Sequence, residues 1–92
     1  MKVLGKVLFD PRDTIPYYIG LEKLGIHTQG DTLENAYFML KDAVSLVISN
    51  KFNIDFKIKY LEIIPIDSTS FYIKSNIPEF NKYISSSIGI TN

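Results

Sequence analysis

Three short apolar segments separated by turn residues open the chain. Residues 2–9 are rich in Val, Leu and Phe and end at a turn cluster, residues 10–13, which contains two Asp and one Pro. Two further β-rich runs, residues 15–21 and 26–29, follow after brief connections. Short runs of this kind, joined by tight turns, predict an antiparallel meander of three strands.

The spacing of the apolar residues changes after Gly30. Asp31 is a suitable N-cap residue, and Glu34 follows three positions later, which is the spacing of a capping box. Over residues 33–48, apolar side chains recur at steps of three and four with polar side chains between them. This pattern predicts an amphipathic helix of about 18 residues that ends near residues 49–50.

An alternating pattern returns after the helix. Apolar side chains occupy every second position of residues 54–60, and a nearly continuous apolar run follows at residues 61–66, so residues 54–66 are predicted to form a fourth strand. One long helix covering one face of a mainly antiparallel sheet is the compact solution for this order. We therefore predict the α+β class, with a three-stranded antiparallel meander, one long helix on one sheet face and a fourth strand.

The last quarter of the chain repeats a strand and a helix on a smaller scale. Alternation over residues 71–77 predicts a strand, Pro78 suits the first position of a short helix, and Gly89 suits its end. A polar, turn-like stretch precedes this strand. We expect residues 1–67 to form one domain and residues 68–92 to form a short strand-helix tail.

The composition limits the classes of function. Ninety-two residues fit one small domain, and 10 Lys+Arg balance 10 Asp+Glu, so nucleic-acid binding requires a local basic patch. Cysteine is absent, which excludes disulfides, thiolate catalysis and cysteine-based zinc sites. No apolar run approaches the ~20 residues of a membrane span, and no signal peptide opens the chain, so we expect a cytoplasmic protein. Small domains without disulfides often gain stability by association, so we also expect a homodimer or higher oligomer.

Residues 27–36 carry a more specific signal, the run His-Thr-Gln-Gly-Asp-Thr-Leu-Glu-Asn-Ala. This run resembles the signature of HicB-type antitoxins, in which a strand ends in a Thr-Gln-Gly-Asp-Thr-Leu-Glu-type sequence and a helix with spaced alanines follows. The resemblance covers residues 3–66 and is most specific over residues 28–36. It implies a partly degenerate RNase H-like domain that occludes a small mRNA-cleaving toxin of the HicA type, with no cofactor.

The C-terminal residues resemble the start of a ribbon-helix-helix module as found in the same family. Residues 71–78 are similar to the ribbon and residues 79–88 to the first helix, but no second helix follows, so the module is incomplete. The resemblance implies an alternative function as a DNA-binding transcriptional repressor of its own operon. In such a module Tyr72, Lys74 and Asn76 would face the operator DNA and read base edges in the major groove.

The toxin-contact surface is predicted from charge. Toxins that grip RNA are basic, so acidic side chains near the first hairpin are the expected contacts, and we predict that Asp10, Asp13 and Glu22 bind the toxin.

A catalytic role is not predicted. RNase H chemistry needs several carboxylates converging on Mg²⁺, but Asp55 and Glu62 have opposite parity along the predicted fourth strand and Asp10 stands apart from them. These acids are better explained as solvated surface charges. His27 is the only histidine and has no accompanying nucleophile motif, so we expect a strand-end side chain held by local hydrogen bonds. We predict no catalytic residue and no metal site.

Overall fold

The computed structural model describes residues 1–88, which contain five β-strands, two α-helices and two short 3-10 turns, Glu22–Leu24 and Ile58–Tyr60. In chain order the main elements are β1 (Lys2–Phe9), β2 (Tyr17–Leu21), β3 (Ile26–Gly30), α1 (Leu33–Phe52), β4 (Leu61–Pro65), β5 (Ser70–Ser75) and α2 (Pro78–Ile88). The predicted helix stop at Gly89 lies outside the described residues.

The strands form one sheet in the order β3-β2-β1-β5-β4, and every neighbouring pair is antiparallel. The predicted α+β class is confirmed, including the meander of the first three strands and the long helix on one face of the sheet. The core lies between the sheet and the two helices. Its fully enclosed members are Leu21, Ala36, Leu40, Val44, Ile48, Phe71, Ile73 and Phe80.

The C-terminal strand and helix belong to this same core. β5 lies between β1 and β4, where Ile73 is paired with Val3 on one side and with Ile63 on the other. Phe80 of α2 is completely buried in the same hydrophobic cluster. β5 thus joins β4 to the rest of the sheet, while the division into residues 1–67 and a tail of residues 68–92 stays a prediction.

The fourth strand is shorter than the predicted span of residues 54–66. Asn53 adopts the left-handed conformation at the end of α1, with φ 53° and ψ 50°. The hydroxyl of Ser49 then accepts a hydrogen bond from the Phe56 backbone N–H at 3.0 Å and donates to the Phe56 carbonyl at 3.3 Å. Because a side chain satisfies these backbone groups, the segment packs against the helix end instead of joining the sheet. Pairing begins only at Leu61.

The connection between β3 and α1 is very tight. A Cβ atom on Gly30 would lie 2.7 Å from the Cα and 2.9 Å from the Cβ of Ala36, so only glycine allows this approach of strand and helix. The N-cap residue is Thr32, whose hydroxyl accepts a hydrogen bond from the Asn35 N–H at 3.0 Å. The predicted cap at Asp31 is thus wrong by one position, because the turn of the chain at Gly30 leaves Asp31 one residue before the cap.

Candidate functional site

The sheet has one covered face and one open face within residues 1–88. Strand residues alternate between the faces, and those of odd parity in β1, such as Val3 and Val7, are buried beneath the helices. The other set forms what we call the open face. Its members are Lys2, Leu4, Lys6, Leu8, Tyr18, Gly20, His27, Gln29, Glu62, Ile64, Tyr72 and Lys74.

One end of the sheet exposes several large apolar side chains. At the β1–β2 hairpin, Leu8 is 65%, Phe9 51% and Ile15 44% exposed. The ring of Phe9 rests on that of Tyr17, with the ring centroids 4.8 Å apart. We call Leu8, Phe9 and Ile15, together with the acids of the connecting loop, the hairpin surface. Leu8 and Phe9 are successive strand residues and point to opposite faces of the sheet, so the exposed apolar side chains surround the end of the hairpin. Several exposed apolar residues gathered at one end of a domain are typical of binding sites.

The hairpin loop fixes Asp10 by local contacts. Its carboxylate accepts hydrogen bonds from the Arg12 backbone N–H at 3.1 Å and from the guanidinium Nε and Nη2 at 3.0 and 3.1 Å. The side-chain and backbone hydrogen bonds from Arg12 lower the pKa of the Asp10 carboxyl below its ordinary value. Asp10 is therefore an ionised group whose charge is already matched within the loop, which leaves it less available to a partner than expected from the sequence.

The second acid of the loop orients a tyrosine at the edge of the hairpin surface. The Tyr18 hydroxyl donates a hydrogen bond to the Asp13 carboxylate. This hydrogen bond, followed by partial burial, raises the pKa of the Tyr18 phenol above its ordinary value. Arg12 forms a salt bridge with Asp10, but no salt bridge within residues 1–88 involves Asp13. The charge of Asp13 therefore remains available for a basic partner.

A shallow cavity of about 280 Å³ lies on the open face beside the hairpin surface. Its floor is Gly20, and the side chains around it are Lys6, Leu8, Tyr18, Glu22 and His27. A Cβ atom on Gly20 would meet the His27 ring, with Cε1 at 2.8 Å, so the glycine is what lets the imidazole lie across the strand. The cavity was not predicted from the sequence. A single glycine inside a strand pattern is the signal for such a close approach.

The predicted toxin contacts are brought to the same region, although not to one point. Asp10 and Asp13 lie in the hairpin loop, and Glu22 lies at the rim of the cavity after β2. His27 is exposed, and its ring makes no hydrogen bond with another residue of the described chain 1–88. The expectation that local hydrogen bonds hold His27 is therefore wrong, because the ring instead lies over Gly20, where the missing Cβ leaves room for it.

The predicted DNA-reading residues do not form a free ribbon. β5 is hydrogen-bonded to β1 on one side and to β4 on the other, so its backbone has no free edge for a second chain. Tyr72 and Lys74 project from the open face, whereas Asn76 lies beyond the end of the strand. In this sheet β5 does not have the free edge of a ribbon, and a DNA-reading role of these three residues stays a prediction.

The carboxylates considered for metal-dependent chemistry are dispersed. Asp10 is paired with Arg12, Asp55 contacts the Lys57 ammonium at 2.6 Å, and Glu62 lies 3.8 Å from that of Lys74. The described residues contain no group of three or more His, Asp or Glu side chains arranged to hold a metal ion.

Neither helix of residues 1–88 is long and apolar enough to cross a membrane. Comparison of the chain with protein-family models, with curated proteins and with solved structures finds no match.

Proposed function

We propose that this chain is an antitoxin that binds and occludes a small, basic, mRNA-cleaving toxin of the HicA type. The observation that carries the proposal is the hairpin surface, where Leu8, Phe9 and Ile15 are exposed at the ends of the loop that contains Asp13. An apolar centre bordered by charged groups is the arrangement by which protein interfaces combine affinity with partner choice.

The run resembling HicB-type antitoxins supports the same role. Its glycine, Gly30, occupies a position that tolerates no side chain against Ala36, and its second threonine, Thr32, caps the helix. The residues of the run thus have a structural reason to occur together at a strand-to-helix connection. The antitoxin acts by steric and electrostatic occlusion, so the chain needs no catalytic group.

The Asp13 carboxylate provides the electrostatic part of the mechanism. A lysine or arginine of the toxin approaching the hairpin surface meets this ionised group next to the Tyr18 phenol. An RNA-cleaving protein needs cations where it grips the phosphate backbone, so contact with these cations removes the surface on which the toxin depends.

The test is direct binding between this chain and the protein encoded by the adjacent gene. Titration calorimetry is expected to detect a complex with a Kd below about 1 μM, as is usual for a specific interface. Leu8→Asp should weaken the complex at least tenfold, because it places a carboxylate in the apolar centre, which corresponds to about 1.4 kcal/mol. Leu46→Asp is the matched control, since Leu46 is similarly exposed, at 56%, but lies on α1.

Two results would contradict the proposal. Absence of any complex at micromolar concentration would exclude the antitoxin role. Equal weakening by Leu8→Asp and Leu46→Asp would place the toxin elsewhere than on the hairpin surface.

A further inference from the structure

Positive charge is concentrated on the open face of a chain that is neutral as a whole. Ten Lys+Arg balance ten Asp+Glu over the sequence. On the open face, however, Lys2, Lys6 and Lys74 outnumber the two carboxylates, that of Glu62 and that of Glu22 at the rim of the cavity. This segregation creates a local basic patch, which a chain without net charge requires in order to bind a polyanion.

The strand register places these lysines at two levels of the open face. Lys2 is paired with Lys74 across β1 and β5, and Lys6 is paired with Gly20 across β1 and β2. Gly20 is in turn paired with His27 of β3. Directly opposite side chains in adjacent strands lie about 5 Å apart, so Lys2 and Lys74 form one cationic pair, with Glu62 beside Lys74. Lys6 lies four residues further along β1, roughly 13 Å away, at the level of Gly20 and His27.

Flat, partly exposed rings lie between the cations. Tyr72 is paired with Leu4 between the positions of the lysines, and the Lys2 ammonium lies 4.2 Å from the centroid of the Tyr72 ring. At the cavity, the imidazole of His27 lies over Gly20. Rings between cations on an open sheet match a polymer that alternates planar bases with phosphates.

The lysines of the open face make only weak contacts within the chain, which a phosphate can replace. The Lys74 ammonium is 3.8 Å from Glu62, and both side chains are exposed, by 42% and 65%. Exposed ion pairs and cation–π contacts of this kind contribute little, so a phosphate can replace them.

We propose that the open face binds single-stranded RNA. Lys2 and Lys74 contact the phosphate backbone at one level of the sheet, Lys6 contacts it at the other, and Tyr72 and His27 stack on unpaired bases. The Glu22 carboxylate at the cavity rim is unsuited to a phosphate but accepts a hydrogen bond from a 2′-hydroxyl, which only RNA offers. The cations and rings of this site lie outside the hairpin surface, although Leu8 borders both, so RNA binding does not depend on the antitoxin role.

The experiment is fluorescence anisotropy with the full chain and a labelled oligouridine of about 12 nucleotides, a length comparable to the sites of single-strand binders. The logarithm of the affinity should fall against the logarithm of the salt concentration with a slope of about −2, as expected for three phosphate contacts on a single strand. Oligodeoxythymidine and a duplex of the same length serve as the other two ligands, and both should bind more weakly.

Matched charge reversals locate the site. Lys6→Glu and Lys74→Glu should each weaken RNA binding about tenfold or more, because each removes a phosphate contact and introduces repulsion. Lys51→Glu and Lys59→Glu produce the same net charge on exposed residues at the far end of α1 and in the following turn, and they should leave the affinity nearly unchanged. Glu62→Gln should tighten binding, since it releases Lys74.

Each alternative outcome overturns a defined part of the proposal. Equal losses from the two pairs of lysine variants would show binding by overall charge and remove the site. Oligodeoxythymidine bound as tightly as oligouridine would overturn the assignment to RNA, and duplex bound as tightly would overturn the single-stranded mode. The assay contains no toxin, so a failed toxin complex leaves its result unaffected.

Discussion

Two glycines at strand positions face neighbours of very different rigidity. A Cβ on Gly30 meets the backbone of Ala36 within α1, whereas a Cβ on Gly20 meets only the exposed ring of His27. Gly30→Ala should therefore lower the free energy of unfolding by about 1–3 kcal/mol, because helix and strand must separate. Gly20→Ala should change it by less than about 0.5 kcal/mol, because the His27 ring can rotate towards solvent.

Urea unfolding of the two variants and the parent chain, followed by far-ultraviolet circular dichroism, measures both values. A loss from Gly20→Ala as large as that from Gly30→Ala would show that the His27 ring is held in place, contrary to its exposed position.

Single residues also mark what the sequence can and cannot predict. The steps of three and four in α1 and the glycine before it follow from local chemistry, so the helix was predictable to within a few residues. The roles of Lys6 and His27 depend on which strand lies beside which, and this pairing involves residues distant in the sequence. The acids Asp10 and Asp13 look equivalent in the sequence, but Arg12 reaches only the first of them.

The beginning of α1 provides a test at the level of one element. Thr32 caps the helix through its hydroxyl, while Asp31 precedes the cap. Thr32→Ala should cost about 1 kcal/mol of unfolding free energy, because the Asn35 N–H loses its acceptor. Asp31→Ala should cost less, since it removes only a charge near the positive end of the helix dipole. Urea titration of both variants compares them, and the reverse order of losses would restore Asp31 as the cap.

The turn between β4 and β5 should respond to acid. The Asp67 carboxylate accepts hydrogen bonds from the Thr69 N–H at 2.8 Å and from the Ser70 hydroxyl at 2.9 Å. These contacts, the backbone one first, lower the pKa of Asp67 below its ordinary value of 3.8. Asp67 contributes its full stabilisation when the pH is above the pKa of this carboxyl in the unfolded chain. The contribution is lost as the pH falls through the lower pKa of the carboxyl in the folded chain.

Asp67→Asn removes this charge while keeping the shape of the side chain. The parent chain should be more stable than the variant at about pH 6–7, and the difference should shrink as the pH falls below the ordinary carboxyl range and vanish where the folded Asp67 carboxyl is itself protonated. Urea unfolding across this range measures the difference. If the difference in unfolding free energy between the two proteins stays constant with pH, the shape of the side chain and not its charge is the cause.

Periodicity was a poor guide to residues 54–60 for a physical reason. Their alternation fits a strand, yet the backbone of Phe56 is satisfied by Ser49, and Lys57 pairs with Asp55 two positions away. A capping contact from the preceding helix competes with sheet pairing, and a periodic pattern contains no information about that competition.

At the scale of the whole molecule, the order of the strands determines which residues lie side by side on each surface. Because β5 lies between β1 and β4, Lys74 and Tyr72 are brought beside Lys2 and Leu4, while the hairpin surface remains at one end of the sheet. The sequence predicted β5 as a strand but not its partners, since antiparallel pairing with β1 joins residues about seventy positions apart. The homodimer expected from the small size of the chain stays a prediction.

The same sheet order predicts that a fragment without β5 and α2 does not fold cooperatively. A fragment of residues 1–67 lacks β5 and α2, and with them the buried side chains of Phe71, Ile73 and Phe80. β4 then has no neighbour in the sheet, and the core lies open on one side, so the fragment should show no cooperative urea transition. Adding a peptide of residues 68–92 should restore the far-ultraviolet circular dichroism of the intact chain, because the missing strand can insert between β1 and β4. Cooperative unfolding of the fragment alone would mean that the first 67 residues form an independent domain, in which case β5 contributes to the binding surfaces but not to the integrity of the fold.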